Sequence, residues 1–269
     1  MGILDGKVVI VTGGSRGIGA EIARRFGAAG AAVAVAARTA EAGSYPLAGT
    51  ITETADQIRA AGGTAEAIRA DLSKSEERER LVAETSAQLG VPDILVSNAA
   101  VTYFAPVADF SSRRYDLMFE VQVAGPFHLA QLVIPGMRRA GRGWILNISS
   151  GAARHPALPP GPLANRGGTV YGMCKAALER FSSGLAAELY EDNIAVNALS
   201  PSRVVPTPGT VFHHLTTWDD PGAEPPPVMA EAALRLCSAE PKTLTGRIAY
   251  SQRLLTELGV AIPDLPASP

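Results

Sequence analysis

The sequence predicts one three-layer α/β/α domain built on a doubly wound parallel sheet. Three observations predict it. Short apolar runs alternate with longer amphipathic stretches along most of the chain. The first of these runs stops at a glycine cluster that opens a helical stretch. The first run is β-branched and the next is apolar, and a buried parallel sheet is the natural way to join such runs.

Taken in order, Lys7-Val8-Val9-Ile10-Val11 is the first strand, and residues 21–29 form a helix with Ile22, Ala23 and Phe26 on one side. Residues 31–37 are the second strand. A helix over 51–61 ends at Gly62-Gly63, and a strand over 65–70 ends at Asp71. Ser73 and Glu76 have the spacing of a capping box for the next helix. A strand over 93–97, a mostly helical 111–139, a strand over 144–149 and a helix over 171–190 come next, with last strands over 194–199 and 247–250. Two stretches rich in proline fit no regular element, 154–168 and 201–227. Both lie after strand ends, so both are expected on the rim where open sheets bind ligands, the second acting as a substrate loop from about residue 203 to 227.

Composition narrows the function classes. With 269 residues, 46% hydrophobic and 19% charged, the chain has material for a sizeable core and is far from a disordered composition. A net charge of -2 gives no electrostatic reason to expect nucleic acid. The two cysteines, Cys174 and Cys237, form no metal or disulfide framework, which suits a reducing, cytoplasmic setting. The first residues lack a basic segment followed by an apolar one, so no signal peptide is expected, and the apolar runs are read as too short or too polar to span a bilayer.

The glycine cluster is Thr12-Gly13-Gly14-Ser15-Arg16-Gly17-Ile18-Gly19. Glycines let a backbone approach a pyrophosphate closely, and the next helix N-terminus offers free N–H groups and a positive dipole end. This is a dinucleotide site on a Rossmann-type sheet. After the second strand, Arg38-Thr39 stands where an NAD site would place a carboxylate for the ribose 2′-hydroxyl. Arg16 and Arg38 suit a 2′-phosphate instead, so NADP(H) is expected over NAD(H).

Tyr171 and Lys175 stand four residues apart and share a helix face. A cation beside the phenol, joined by the positive charge of a nicotinamide, favours the phenolate and should move its pKa from ~10 toward neutrality. Ser150, at the end of the strand over 144–149, can hydrogen-bond a substrate carbonyl.

With these residues in place, the chain resembles the short-chain dehydrogenase/reductase family. The matching motifs are the glycine cluster, Asp71-Leu72, Ser97-Asn98-Ala99-Ala100, Ile148-Ser149-Ser150, Tyr171 to Lys175, and Val196-Asn197-Ala198-Leu199-Ser200-Pro201. The resemblance implies Tyr171 as general acid and base, Lys175 on the nicotinamide ribose, and Ser150 orienting the substrate carbonyl. It implies Asp71 and Leu72 beside the adenine, Asn98, Ala99 and Ala100 along the cofactor's middle, and Pro201, Val204 and Thr207 at its nicotinamide end. A shorter likeness, Tyr45-Pro46-Leu47-Ala48-Gly49-Thr50-Ile51, points to hydroxysteroid dehydrogenase-like members.

The chain departs from that family at several positions. Gln122 stands where most members have an asparagine that anchors a water in the proton relay. Ala100 and Ser202 replace glycines, and Pro206 adds a residue before Thr207. Ser150 and Tyr171 lie 21 positions apart, so the excess should bulge over the substrate cleft. Phe212, Leu215 and Trp218 read as an apolar lid, and His213-His214 as a polar loop pair with no ligand partners at metal spacing. The 111–139 and 171–190 helices carry apolar residues on several sides; the resemblance implies that these helices pair across subunits, giving a homo-tetramer or dimer, while packing within one chain accounts for part of the same pattern.

The reading is therefore an oxidoreductase that moves a hydride between NADP(H) and a small, rather apolar carbonyl or alcohol. The alternatives are a non-catalytic NADP(H) sensor, suggested by Gln122, and an epimerase or dehydratase, which Arg38 disfavours.

Overall fold

The computed structural model describes residues 2–43, 45–159 and 167–261. Seven strands form one parallel sheet: β1 (Val8–Thr12), β2 (Ala32–Ala37), β3 (Thr64–Arg69), β4 (Ile94–Ser97), β5 (Gly143–Ile148), β6 (Ile194–Ser200) and β7 (Ile248–Tyr250). Their order is β3-β2-β1-β4-β5-β6-β7, every pair parallel. β1, β4, β5 and β6 are buried along their whole length, which explains their unbroken apolar character.

The chain runs outward from β1 to β3, then returns to pair β4 with the other side of β1. That reversal opens a crevice at the carboxyl ends of β1 and β4, where the glycine cluster and Asn98 lie. On one face, α1 (Gly17–Ala28), α2 (Ile51–Ala60) and α8 (Pro226–Ser238) pack through Ile22, Phe26, Ile58 and Leu234 onto Val9, Val33 and Val35. On the other, α3 (Ser75–Gln88), α5 (Gly125–Ala140) and α6 (Thr169–Glu188) pack through Leu81, Leu129, Val133 and Leu185 onto Ile10, Leu95 and Val196.

Several expectations need correction. Ser73 does not cap the third helix. Its N–H and hydroxyl both donate to Asp71 Oδ1, at 3.1 and 2.8 Å, and the cap residue is Lys74. The capping box forms instead one helix earlier, where the Thr50 hydroxyl accepts from Glu53 N–H and the Glu53 carboxylate accepts from Thr50 N–H, each at 3.0 Å. The proline-rich 201–227 is partly regular, since α7 (Pro208–Phe212) lies inside it and α8 begins at its end. In both helices proline sits at the first turn, where its missing N–H is no loss.

The long fourth helix is also more than the sequence suggested. α4 (Ser112–Phe119) runs into α5 through a π-helical segment, Glu120–Ala124, making one continuous helix long and apolar enough to cross a bilayer by length and composition. By length and composition this helix exceeds the expectation that the apolar runs are too short or too polar to span a bilayer. In the fold, Leu129, Ala130, Val133 and Met137 of this helix are buried against the sheet.

Candidate active site

The glycine cluster is shaped by contacts that leave no room for side chains. Gly13 and Gly17 have φ of 66° and 55°, the left-handed region that favours glycine. A Cβ on Gly13 would stand 2.8 Å from both Ala99 Cα and Asn98 Nδ2, and one on Gly19 would stand 2.3 Å from Asn98 Nδ2. Asn98 is the lock. Its amide donates to the carbonyls of Thr12 and Gly13 at 2.9 and 3.2 Å, while its N–H and that of Ala99 donate to the Thr12 hydroxyl. The Asn98 side chain is thus engaged with the loop itself, and Ala100 lies exposed beyond it.

Above this loop, α1 begins without a side-chain cap and without an acidic residue in its first turn. Its free N–H groups and positive dipole end fit the pyrophosphate of a dinucleotide, and the close-fitting glycines leave a backbone surface for it. Gly17 also abuts Thr207, whose methyl would be 2.9 Å from an added Cβ. The glycine loop, expected at the pyrophosphate, and Thr207, expected at the nicotinamide end, therefore meet.

Around the adenine end expected from the sequence, Arg16 Nη2 donates to the Gly49 carbonyl at 2.8 Å, and Arg38 is exposed. Arg16 Nε is buried with no partner among the described residues. Burial works against the Asp71 carboxylate, but hydrogen bonds from Ser73 and the nearby Arg38 and Lys74 outweigh it and hold the carboxyl below its usual range. Asp71 N–H donates to Glu77 at 2.7 Å, and Leu72 is buried in the core. Thr39 is buried, with its carbonyl accepting from Ile51 N–H at 3.0 Å.

The catalytic candidates converge on the carboxyl ends of β5 and β6. Ser150 comes directly after β5 and Ser149, and its side chain hydrogen-bonds the Tyr171 phenol, while its oxygen also accepts from Ala152 N–H at 3.2 Å. Lys175 is 3% exposed, and its Nζ donates to the Ile148 carbonyl at 2.8 Å. The same Nζ lies 5.6 Å from the Tyr171 ring centroid. Burial pulls the Lys175 pKa down to about 8, against the opposing charges of Cys174 and Glu179.

The expected lowering of the Tyr171 pKa included the charge of a bound nicotinamide. The protein by itself raises the Tyr171 pKa, because burial of the phenol outweighs the lowering hydrogen bond from Ser150. The Lys175 ammonium, directed at a backbone carbonyl, is not among the groups that lower it. Burial also raises the Cys174 thiol to about 11, which makes it a packed core group rather than a nucleophile.

Gln122 sits in the π-helical segment, 1% exposed. Its Nε2 donates to the Val101 carbonyl at 2.9 Å, and its Oε1 is buried without a partner among the described residues. The side chain therefore fastens the segment after β4 and keeps an acceptor in reserve.

Some participants were not legible in the motifs. Phe104 meets Tyr171 edge to face at 6.1 Å between ring centroids and His213 at 5.4 Å, and His213 meets Phe212 at 5.3 Å. A row of rings thus leads from Tyr171 out to Phe212, which is 61% exposed. His213 belongs to this wall rather than to a solvated pair, and burial, followed by the charge of His214, lowers its pKa. Trp218 is exposed and Leu215 half-buried. Glu179 accepts from the Ser149 hydroxyl at 2.7 Å; its position four residues after Lys175 was the available signal. Pro201 comes directly after β6, and Val204 is exposed in the segment that follows, its carbonyl accepting from Glu224 N–H at 2.9 Å. Of the 154–168 stretch, residues 160–166 lie outside the described residues; at its end, the Gly167 carbonyl accepts from Ala105 N–H at 3.2 Å, beside Phe104.

Comparison with known proteins agrees with this geometry. The profile of the family described as short chain dehydrogenase matches residues 7–213. The chain is 36% identical to 7alpha-hydroxysteroid dehydrogenase of Escherichia coli K12, over 91% of this chain and 92% of that one. It is 31% identical to human hydroxysteroid dehydrogenase-like protein 2, over 99% of this chain but 61% of that longer protein. Among solved structures, a putative dehydrogenase from Xanthomonas campestris superposes with a TM-score of 0.83 at 33% identity, covering 96% of this chain and 91% of that one. A metagenomic short-chain oxidoreductase in complex with NADP superposes with a TM-score of 0.74 at 28% identity, covering 92% and 97%. A seven-stranded parallel sheet, a glycine-locked crevice and a family profile spanning most of the chain lead to one conclusion: the protein belongs to the short-chain dehydrogenase family of oxidoreductases.

Proposed function

We propose that the whole chain is one NADP(H)-binding unit that interconverts a carbonyl and an alcohol, with Tyr171 as the proton donor in reduction and acceptor in oxidation. The observation that carries the reading is the meeting of Ser150, Tyr171 and Lys175 at the rim next to the glycine-locked crevice. The bound dinucleotide would supply or accept the hydride at the substrate carbon. Ser150 and Tyr171 hydroxyls then point two hydrogen bonds at the substrate oxygen, and Tyr171 gives it a proton as negative charge develops there. Lys175, held by the Ile148 carbonyl, would grip the nicotinamide ribose with its remaining N–H donors. The positive charge of the oxidised ring would supply the lowering of the phenol pKa that the protein alone does not. Gln122 takes the place of the relay asparagine, its free Oε1 accepting from a water that returns the proton.

Preference for NADP(H) is part of the proposal. Support comes from Arg16 and Arg38 without a carboxylate at the end of β2, and from the NADP complex of a related structure. The ring row from Tyr171 to Phe212 favours an apolar substrate, and the name of the E. coli relative makes hydroxysteroids a first class to try. A cytoplasmic setting, supported by two buried free cysteines, and a homo-tetramer or dimer complete the reading.

The test monitors NADPH consumption against steroid ketones, α-diketones, aldehydes and β-ketoacyl thioesters. Tyr171→Phe should lower kcat by about 10²–10⁴-fold while NADPH binding, read by its fluorescence, stays within about twofold of wild type, the scatter of such titrations. Turnover that survives in Tyr171→Phe would remove the mechanism, and a preference for NADH would remove the cofactor assignment.

A further inference from the structure

We propose that Tyr45 holds Arg16 and Arg38 together as a ready-made site for a 2′-phosphate, and so sets the degree to which the chain prefers a 2′-phosphorylated dinucleotide. The inference rests on the arginine reading above and adds Tyr45, a residue to which the sequence motifs assign no role.

Arg16 belongs to the glycine cluster and Arg38 to the turn after β2, so two elements bring two cations close together. Like charges at such a distance repel, and burial together with Arg38 disfavours the charged form of Arg16. Tyr45 stands against both. Its ring centroid is 5.1 Å from Arg16 Cζ and 5.9 Å from Arg38 Cζ, both within the range at which an aromatic face attracts a guanidinium. The ring therefore offsets part of the repulsion that would otherwise spread the pair before an anion arrives.

The segment carrying Tyr45 is tied down for this purpose. Arg16 Nη2 donates to the Gly49 carbonyl, and Gly49 has a φ of 99° that only glycine adopts readily. A Cβ on Gly49 would stand 2.4 Å from the Ser15 carbonyl oxygen, so the turn lies directly on the glycine loop. The capping box of Thr50 and Glu53 then anchors the same turn to α2. Tyr45 itself is 43% exposed, so burial of an apolar ring does not explain its place. The buried, unpartnered Arg16 Nε leaves a donor available beside the ring. The chemistry assembled is two planar cations on one aromatic surface, which suits a dianionic phosphate monoester on the adenosine ribose.

The experiment measures binding rather than turnover. Calorimetric Kd values for 2′,5′-ADP and 5′-AMP are compared for the full chain, Tyr45→Ala and Tyr45→Phe, with thermal unfolding confirming that each is folded. Wild type should bind 2′,5′-ADP more tightly. Tyr45→Ala should cut that preference by about fivefold through weaker 2′,5′-ADP binding, with 5′-AMP unchanged, and Tyr45→Phe should retain it. An unchanged preference in Tyr45→Ala, equal weakening of both ligands, or tighter 2′,5′-ADP binding would overturn the proposal, the last because the ring would then be blocking the site. Should wild type itself not distinguish the two ligands, the arginine reading falls, and Tyr45 loses its role with it.

Discussion

At the scale of single residues, the active-site candidates are held in an electrostatically unfavourable place. Lys175 is a buried cation that donates to a backbone carbonyl, and Tyr171 is a phenol whose pKa burial raises. In the proposed function both groups gain their full partners only with ligand present, a common trade of stability for function. The sign of the Lys175 shift gives a test. Its pKa is about 8 in the folded chain, below the unfolded value of 10.5, so its burial destabilises the protein fully below pH 8 and this cost is relieved as pH rises to 10.5. In urea unfolding, any stability advantage of Lys175→Met over wild type should therefore shrink by about 2–3 kcal/mol between about pH 7.5 and 10.5. A difference that stays flat across this range would mean that Lys175 is not buried as a strained cation. The motifs made Ser150, Tyr171 and Lys175 legible because their chemistry fixes their identities. Phe104 and His213 were not, since a ring in a loop has no spacing that announces its neighbour.

At the scale of elements, the segment after β6 depends on one carboxylate. Glu224 is fully buried; it accepts from Ser202 N–H at 3.1 Å and from the Ser251 hydroxyl at 2.5 Å. It thereby closes the base of the segment that carries Thr207, α7, Phe212 and His213. Removing the carboxylate takes an acceptor from both Ser202 N–H and Ser251, at about 2–4 kcal/mol. Glu224→Ala should lower Tm and speed proteolytic cleavage within 203–223, while cleavage elsewhere is unchanged. Equal protease resistance of variant and wild type would show that other contacts close the segment. The sequence announced this region as a proline-rich substrate loop with an apolar lid and with no regular element in it. The same prolines that argued against regular structure are the first-turn residues of α7 and α8. The π-helical segment was likewise hidden, because a single extra residue per turn leaves the apolar pattern intact and only rotates the later residues around the helix axis.

At the scale of the whole molecule, α4–α5 and α6 bury one side in the sheet and leave aromatic rings on the other. Phe127 is 50% exposed and meets Phe181 at 5.9 Å between ring centroids. The proposed pairing of subunits through this face gives a direct test. Phe127→Glu should shift the mass measured by light scattering toward the monomer, since a carboxylate in a dry interface costs several kcal/mol. A variant that keeps the wild-type mass would place the interface elsewhere.

What the sequence by itself determined is the part governed by local rules. Strand and helix order come from hydrophobic period, the turn between β1 and α1 from glycines at positive φ, and the order of motifs along the chain from the chemistry each must perform. It placed all seven strands within about two residues, because buried parallel strands have little latitude in composition. Only the tertiary structure decided which of those residues meet. Asn98 locks the glycine loop from 85 residues away, Tyr45 gathers two arginines from different turns, and a buried lysine finds its partner in a backbone carbonyl. These contacts join residues distant in the chain through orientation and burial, and neither has a period or spacing to be read from order alone.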